Sequence, residues 1–237
     1  EVVTLDDGTE TNITSQAAPP GGDFIFGTDG SGRDVLSRII YGARVSLVVG
    51  ISATALALAA AVVLGAIAAT GRKWIAEALM RTLDVVMAFP GIALAAVLVL
   101  ALSATLPTLP VVVVSIAVLY VPQLTRVVRA NIISQFGEDY VAASKVMGAS
   151  VPWILFKHVA RNCIAPIMVF ATVLVADAIV FEASLSFVGA GIKAPNTPTW
   201  GNMLSEGKAL LLSGHWWVTF FPGLFILITT LCLNVWS

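Results

Sequence analysis

This sequence is short of charge: Asp, Glu, Lys and Arg make up 11% of its 237 residues, against about 25% in a water-soluble domain. With 58% hydrophobic residues and a mean hydropathy of +0.93, it carries more apolar surface than a core surrounded by water can bury. Its solvent is therefore lipid. The net charge of −1 leaves no basic face, which excludes a nucleic-acid partner. Cysteine is nearly absent. Cys163 and Cys232 both sit in apolar runs, which excludes a disulfide framework and leaves them as small core hydrophobes. An initiating Met and an apolar signal segment are also missing from residues 1–24, so the chain reads as a fragment.

What the sequence does have is long charge-free runs. The 27 residues between Arg44 and Arg72 make about 40 Å of helix, enough to cross about 30 Å of hydrocarbon. The 41 residues between Asp84 and Arg126 are too many for one span. Two prolines and three hydroxyl residues at 103–110 break that run into a hairpin of two spans. Residues 163–188 and 216–236 supply two more, so five spans are expected. Trp153, Trp200, Trp216 and Trp217 fall at span boundaries and read as interfacial anchors.

Loop charge orients the spans. Loop 71–82 holds Arg72, Lys73 and Arg81, and loop 125–161 holds Arg126, Arg129, Lys145, Lys157 and Arg161. Residues 1–43 carry seven acids with only Arg33 and Arg38. The positive-inside rule places 71–82, 125–161 and the C-terminus in the cytoplasm, with 1–43 and loop 189–215 (Lys193, Glu206, Lys208) outside. His158 and His215 then lie on opposite sides of the bilayer, and no metal site can be shared between them.

A cytoplasmic loop of more than 30 residues needs a reason, because most helix connections are short. Its centre, EDYVAASKVMGAS (138–150), has the grammar of a helix. Glu138 and Asp139 open it, Lys145 sits in its last turn, and Gly148 follows as a left-handed cap. Ser150 and Pro152 start a second surface helix. Ala142 and Ala143 keep one side slim enough for another surface to approach closely. A helix resting on lipid is the competing reading.

The stretch resembles the EAA loop of binding-protein-dependent ABC importer permeases, with Val141-Ala142-Ala143 and Gly148 in place and the leading Glu replaced. The family's later Leu-Pro-Asn stands here as Ala160-Arg161-Asn162. GTDGSGRDVLSRIIYGARVSL (27–47), EASLSFVGAGI (182–192), PNTPTWGNMLSEG (195–207) and Phe221-Pro222-Gly223 resemble segments of the dipeptide/oligopeptide/nickel permease family, closest to its "C" subunit. The likeness covers roughly residues 25–234. It implies an all-α, polytopic type I importer transmembrane domain, with residues 1–43 as an extracytoplasmic segment and 44–237 as the permease domain. Six spans are expected in the full chain.

The same likeness implies a non-catalytic permease of an ATP-driven importer in a bacterial or archaeal inner membrane. Its partners would be a homologous permease, two ATP-binding subunits holding ATP and magnesium, and an extracytoplasmic solute-binding protein. Di- and oligopeptides are the implied substrates, with nickel or another small solute as the alternative. The implied coupling residues are Glu138, Asp139, Tyr140, Ala142, Ala143, Lys145 and Gly148. Gly27, Thr28, Asp29, Gly32, Arg33 and Asp34 form the extracytoplasmic motif, facing the binding protein and the outer mouth.

Other features read as decoys. Gly27 to Gly32 imitates a phosphate loop, but no strand precedes it; turn chemistry, with Asp29 and Asp34 as caps, accounts for it. Gly65 through Lys73 fails the phosphate-loop spacing, and Trp74 stands where Ser or Thr would be needed. The Asn12-Ile13-Thr14 sequon has meaning only in a eukaryotic secretory setting. A secondary transporter or channel would show internal repeats, and an intramembrane protease a HExxH or paired-Asp signature; neither is present.

Three acids remain. Asp84 reads as a local partner of Arg81. Asp177 and Glu182 lie deeper, where a carboxylate must face protein or water. Pairing with a neighbouring subunit and lining a pathway both account for them.

Overall fold

The computed structural model describes residues 2–4, 10–12, 16–22, 24–192 and 197–236. Ile13 and Thr14 of the sequon lie outside the described residues, as do Lys193, Pro195 and Asn196 of the loop expected outside. A small antiparallel hairpin, β1 (Val2–Thr4) and β2 (Glu10–Asn12), pairs Val3 with Thr11. The remaining elements are helical: α1 (Val35–Thr70), α2 (Lys73–Met87), α3 (Gly91–Leu102), α4 (Thr108–Phe136), α5 (Asp139–Val146), α6 (Val151–Ile154), a π-helical turn (Leu155–Val159), α7 (Ala160–Phe187), α8 (Trp200–Leu212) and α9 (Trp217–Trp236).

Helix α1 is central because its sequence lets it be. Gly42, Ser46, Gly50, Ala53, Ala57, Ala61, Gly65 and Ala68 recur every three or four residues and form a slim buried stripe. Against that stripe α4 and α7 pack at close range. A Cβ on Gly65 would stand 2.6 Å from Cγ1 of Val128, so only glycine permits the contact. In lipid there is no hydrophobic drive between helices, and this close approach supplies the association.

Among the described residues, buried side chains form three clusters. At the α8 end, Val35, Ile39, Ile179, Trp200, Met203 and Trp217 cluster. A second cluster, on α1, α3, α4 and α7, includes Val49, Ala57, Ile116, Leu124 and Leu174, and the α5 end holds Val128, Ile132, Val141, Ile154, Val159 and Ile167.

Among the described residues, four helices are long and apolar enough to cross a membrane alone: α1, α4, the continuous run Val151–Phe187, and α9. The expected second span differs. The hairpin turn at 103–107 is present, but α3 has 12 residues, about 18 Å, and is bent 91° from α2. The bent pair makes a fifth candidate. Pro90 forces the break, because it lacks an N–H and disfavours helix at Phe89. Counting charges alone passed over it.

Two further expectations change. The second helix starts as expected, with Ser150 at its N-cap and Pro152 in its first turn, but it is not a separate surface element: α6 runs through the π turn into α7, since Lys157, His158 and Arg161 are compatible with helix. Trp200 and Trp217 are buried rather than interfacial, because Trp200 at the start of α8 packs on α1, donating to the Ile39 carbonyl, and Trp217 packs on the 27–34 segment, donating to that of Thr28. Trp153 and Trp216 are half exposed.

Candidate functional site

At one end of the bundle, α5 is a short helix held in a fixed pose. Asp139 stands in its first turn and Lys145 in its last, complementing the helix dipole, while Glu138 occupies the N-cap without a side-chain bond. Gly148 ends it at φ +84°, with its N–H bonded to the Lys145 carbonyl and that of Ala149 to Ser144. This is the left-handed ending the sequence requires.

One face of α5 is anchored. Val141 is fully buried among Val128, Ile132 and Val159, the Tyr140 hydroxyl donates to Oε1 of Gln135 at 2.7 Å, and Ser144 is buried below. The Tyr140 and Trp153 rings lie 6.2 and 5.0 Å from His158, and Lys145 Nζ sits 5.6 Å over the Phe136 ring.

The other face is open. Ala142, Ala143 and Gly148 are exposed, and Val146 and Met147 are 89% and 81% exposed. Phe156, 78% exposed, and Trp153 extend the apolar surface. An exposed apolar patch of this kind marks a site of protein or membrane contact. Val146, Met147 and Phe156 were not among the residues expected here. Their signal was two large apolar residues directly before a helix-ending glycine, and an aromatic one turn into the next helix.

The motif at 27–34 lies at the opposite end, and it is folded inward. Gly27, Thr28, Asp29, Gly32 and Arg33 are buried, with Gly27 and Gly32 at φ +75° and +79°. Asp34 caps α1 by accepting from Ser37 N at 2.8 Å. Asp29 does not cap a helix. Its Oδ1 accepts from the N–H groups of Ser31 and Arg33, and its Oδ2 pairs with Arg33 Nε at 2.8 Å and Arg38 Nη1 at 2.6 Å. Glu206 of α8 completes the cluster against Arg33 Nη2 at 3.0 Å and Arg38 Nη1 at 2.5 Å. A phosphate has no room in this loop, because the Asp29 carboxylate already takes its donors. Arg38 and Glu206, outside the six residues expected to form the extracytoplasmic motif, join α1 to α8.

Glu182 is fully buried and satisfied. It accepts from Ser186 Oγ at 2.8 Å, Thr199 Oγ1 at 3.1 Å and Ser46 Oγ at 3.5 Å. Thr199 and Asn202 form a capping box at the start of α8, so the carboxylate also faces a helix N-terminus. Glu182 thus ties together α1, α7 and α8. Asp177 is different: it is exposed on α7, near the buried Tyr120, and makes no ion pair among the described residues. Asp84 pairs with Arg126 of α4 at 2.5 Å rather than with Arg81, because α2 packs against α4 at that level.

Known proteins with this arrangement can be named. The family described as "Binding-protein-dependent transport system inner membrane component" matches residues 61–237. A putative peptide transport system permease protein of Brucella suis is 38% identical over 95% of this chain and 74% of its own length. The di/tripeptide transport system permease protein DppC of Pseudomonas aeruginosa is 38% identical over 90% of this chain and 68% of its own. The dipeptide permease DppC of Bacillus subtilis is 37% identical over 94% and 69%. Among solved structures, an inward-facing form of the MetNI methionine ABC transporter superposes with a TM-score of 0.72 at 14% identity, covering 84% of this chain and 93% of that one. That likeness concerns the fold. The chain therefore belongs to the family of inner-membrane components of binding-protein-dependent transport systems, as a polytopic permease subunit of an ABC importer.

Proposed function

We propose that this permease serves an importer of di- and oligopeptides and receives its driving force through α5. The reading of the substrate is supported by relatives named for peptide or dipeptide transport at 37–38% identity. The reading of α5 rests on one observation: a helix locked to the bundle by Val141 and Tyr140 turns Ala142, Ala143, Val146 and Met147 outward. Pushing on such a helix moves the spans behind it, because Val141 shares a packed cluster with α4, α6 and α7. A loosely held helix would absorb the push.

The partners in this reading are a homologous permease, two ATP-binding subunits that hold ATP and magnesium, and an extracytoplasmic binding protein. This chain contributes no phosphate loop and performs no hydrolysis. The positive-inside rule favours α5 and the C-terminus in the cytoplasm, with the 27–34 motif outside.

Replacing Ala143 with Trp tests the contact. It fills the slim face of α5 without touching the anchored one. The variant should reach the membrane in wild-type amount, lose most co-purifying ATP-binding subunit, and take up dipeptide at least tenfold more slowly. A helix that only rests on lipid predicts the opposite, since tryptophan favours the headgroup region. Wild-type association and uptake in this variant would remove α5 as the coupling element.

A further inference from the structure

Two features that hydrocarbon does not tolerate meet at one place on the surface of the bundle. The first is Asp177, exposed on α7 ten residues before the end of a spanning helix. Among the described residues it has no cationic partner, and Arg126 of α4 is engaged by Asp84. A carboxylate in a span faces water or protein, not lipid.

The second is the break between α2 and α3. Ala88, Phe89 and Pro90 are non-helical and exposed, and Pro90 stands at the N-cap of α3 with no side chain capping the helix's first amides. Uncapped backbone at membrane depth survives only where it lines water or is covered by protein.

The two features adjoin. A Cβ on Gly91 would lie 3.3 Å from Leu119 of α4 and 3.5 Å from Phe181 of α7. Phe181 stands one helical turn from Asp177, on the same side of α7. Its ring packs edge-on against Tyr120 of α4 at 6.4 Å. The break, the aromatic pair and the carboxylate are one contiguous patch on α3, α4 and α7.

We propose that this patch is a wall of the water-filled passage through the importer, and that the Asp177 carboxylate receives the ammonium group of a peptide in transit. A fixed anion suits that role. Every peptide substrate with a free amino terminus carries a cation there, whatever its side chains, so one carboxylate serves many sequences. The choice of an ammonium group rests on the peptide reading above, whereas the aqueous wall follows from the two exposed polar features alone.

The test uses the assembled importer in proteoliposomes, with Cys163→Ser and Cys232→Ser as background. Val180→Cys, exposed one turn from Asp177, reports the local environment. Cationic and anionic methanethiosulfonate reagents should both modify it, the cationic one faster. Adding Asp177→Asn should cut that preference at least fivefold, and dialanine with its binding protein should slow modification.

In the native-cysteine importer, Asp177→Asn should lower dialanine uptake at least tenfold while Asp177→Glu keeps a third or more. No reaction at Val180→Cys with either reagent would overturn the aqueous wall. An unchanged preference after Asp177→Asn would overturn the placement of the carboxylate in that water. Dissociation of the two permeases in Asp177→Asn would make Asp177 an inter-subunit ion pair and overturn the ammonium role, as would wild-type uptake. If the wild-type importer takes up no peptide, the peptide reading fails separately, and the thiol reactions still decide the wall.

Discussion

At the scale of single residues, burial decides which charges matter. Lys73 and Glu77 stand 4.0 Å apart with side chains 92% and 56% exposed, and such a pair is worth almost nothing. Arg38 is 1% exposed and bridges Asp29 and Glu206, two carboxylates on separate elements. Removing one partner of a buried pair strands the others, at a cost of about 3–5 kcal/mol. Arg38→Met should therefore unfold the complex at a clearly lower temperature in detergent, and Lys73→Met should not shift it. Equal shifts in a thermal scan would show that the cluster is not a structural tie. The sequence made Asp29 and Arg33 conspicuous through their glycines, but not Arg38 or Glu206. Their pairing joins positions 168 residues apart, and no local pattern reports a contact of that range.

At the scale of elements, legibility followed the kind of signal. The long spans were readable because lipid demands uninterrupted apolar helix. Helix α5 was readable because dipole, cap and glycine all agree within a dozen residues. The α2–α3 bend was missed because charge-free length outweighed Pro90-Gly91, a strong breaker. Helix α8 was missed because its capping box uses Thr199 with Asn202 instead of a glutamate or glutamine. The end of α5 gives a test of pure backbone conformation. Gly148 sits at φ +84°, and a Cβ placed there would meet no heavy atom within 4 Å. Any loss on substitution therefore comes from the left-handed backbone and not from a clash. Asparagine tolerates that region, alanine pays about 1–2 kcal/mol, and a β-branched residue more. Substrate-stimulated ATP hydrolysis in the assembled importer should fall in the order glycine, asparagine, alanine, valine. An order set by side-chain volume, with asparagine worse than alanine, would point to a partner surface pressing on the cap instead.

At the scale of the whole molecule, the two ends of the bundle are built differently. The α8 end is stitched by two networks, the Asp29–Arg33–Arg38–Glu206 cluster and the hydroxyls around Glu182. The α5 end is packed behind and open in front. On the proposed reading, force applied at α5 would be carried by α1, α4 and α7, whose close packing along the small-residue stripe leaves little slack. A carrier driven by an ion gradient needs ion-coordinating groups at interrupted helices inside the membrane. Here a single unpaired carboxylate, Asp177 of α7, lies beside the α2–α3 interruption among the described residues, and the apolar face proposed to meet an external motor lies at the α5 end. The energy source follows from that division. Uptake into proteoliposomes should require enclosed ATP together with the ATP-binding subunits. It should persist when a protonophore collapses the proton gradient at constant ATP, and the permease pair purified alone should hydrolyse no ATP. Uptake that tracks the proton gradient, with ATP held constant, would mean that the interrupted helix and Asp177 drive transport themselves and that α5 is not where the work enters.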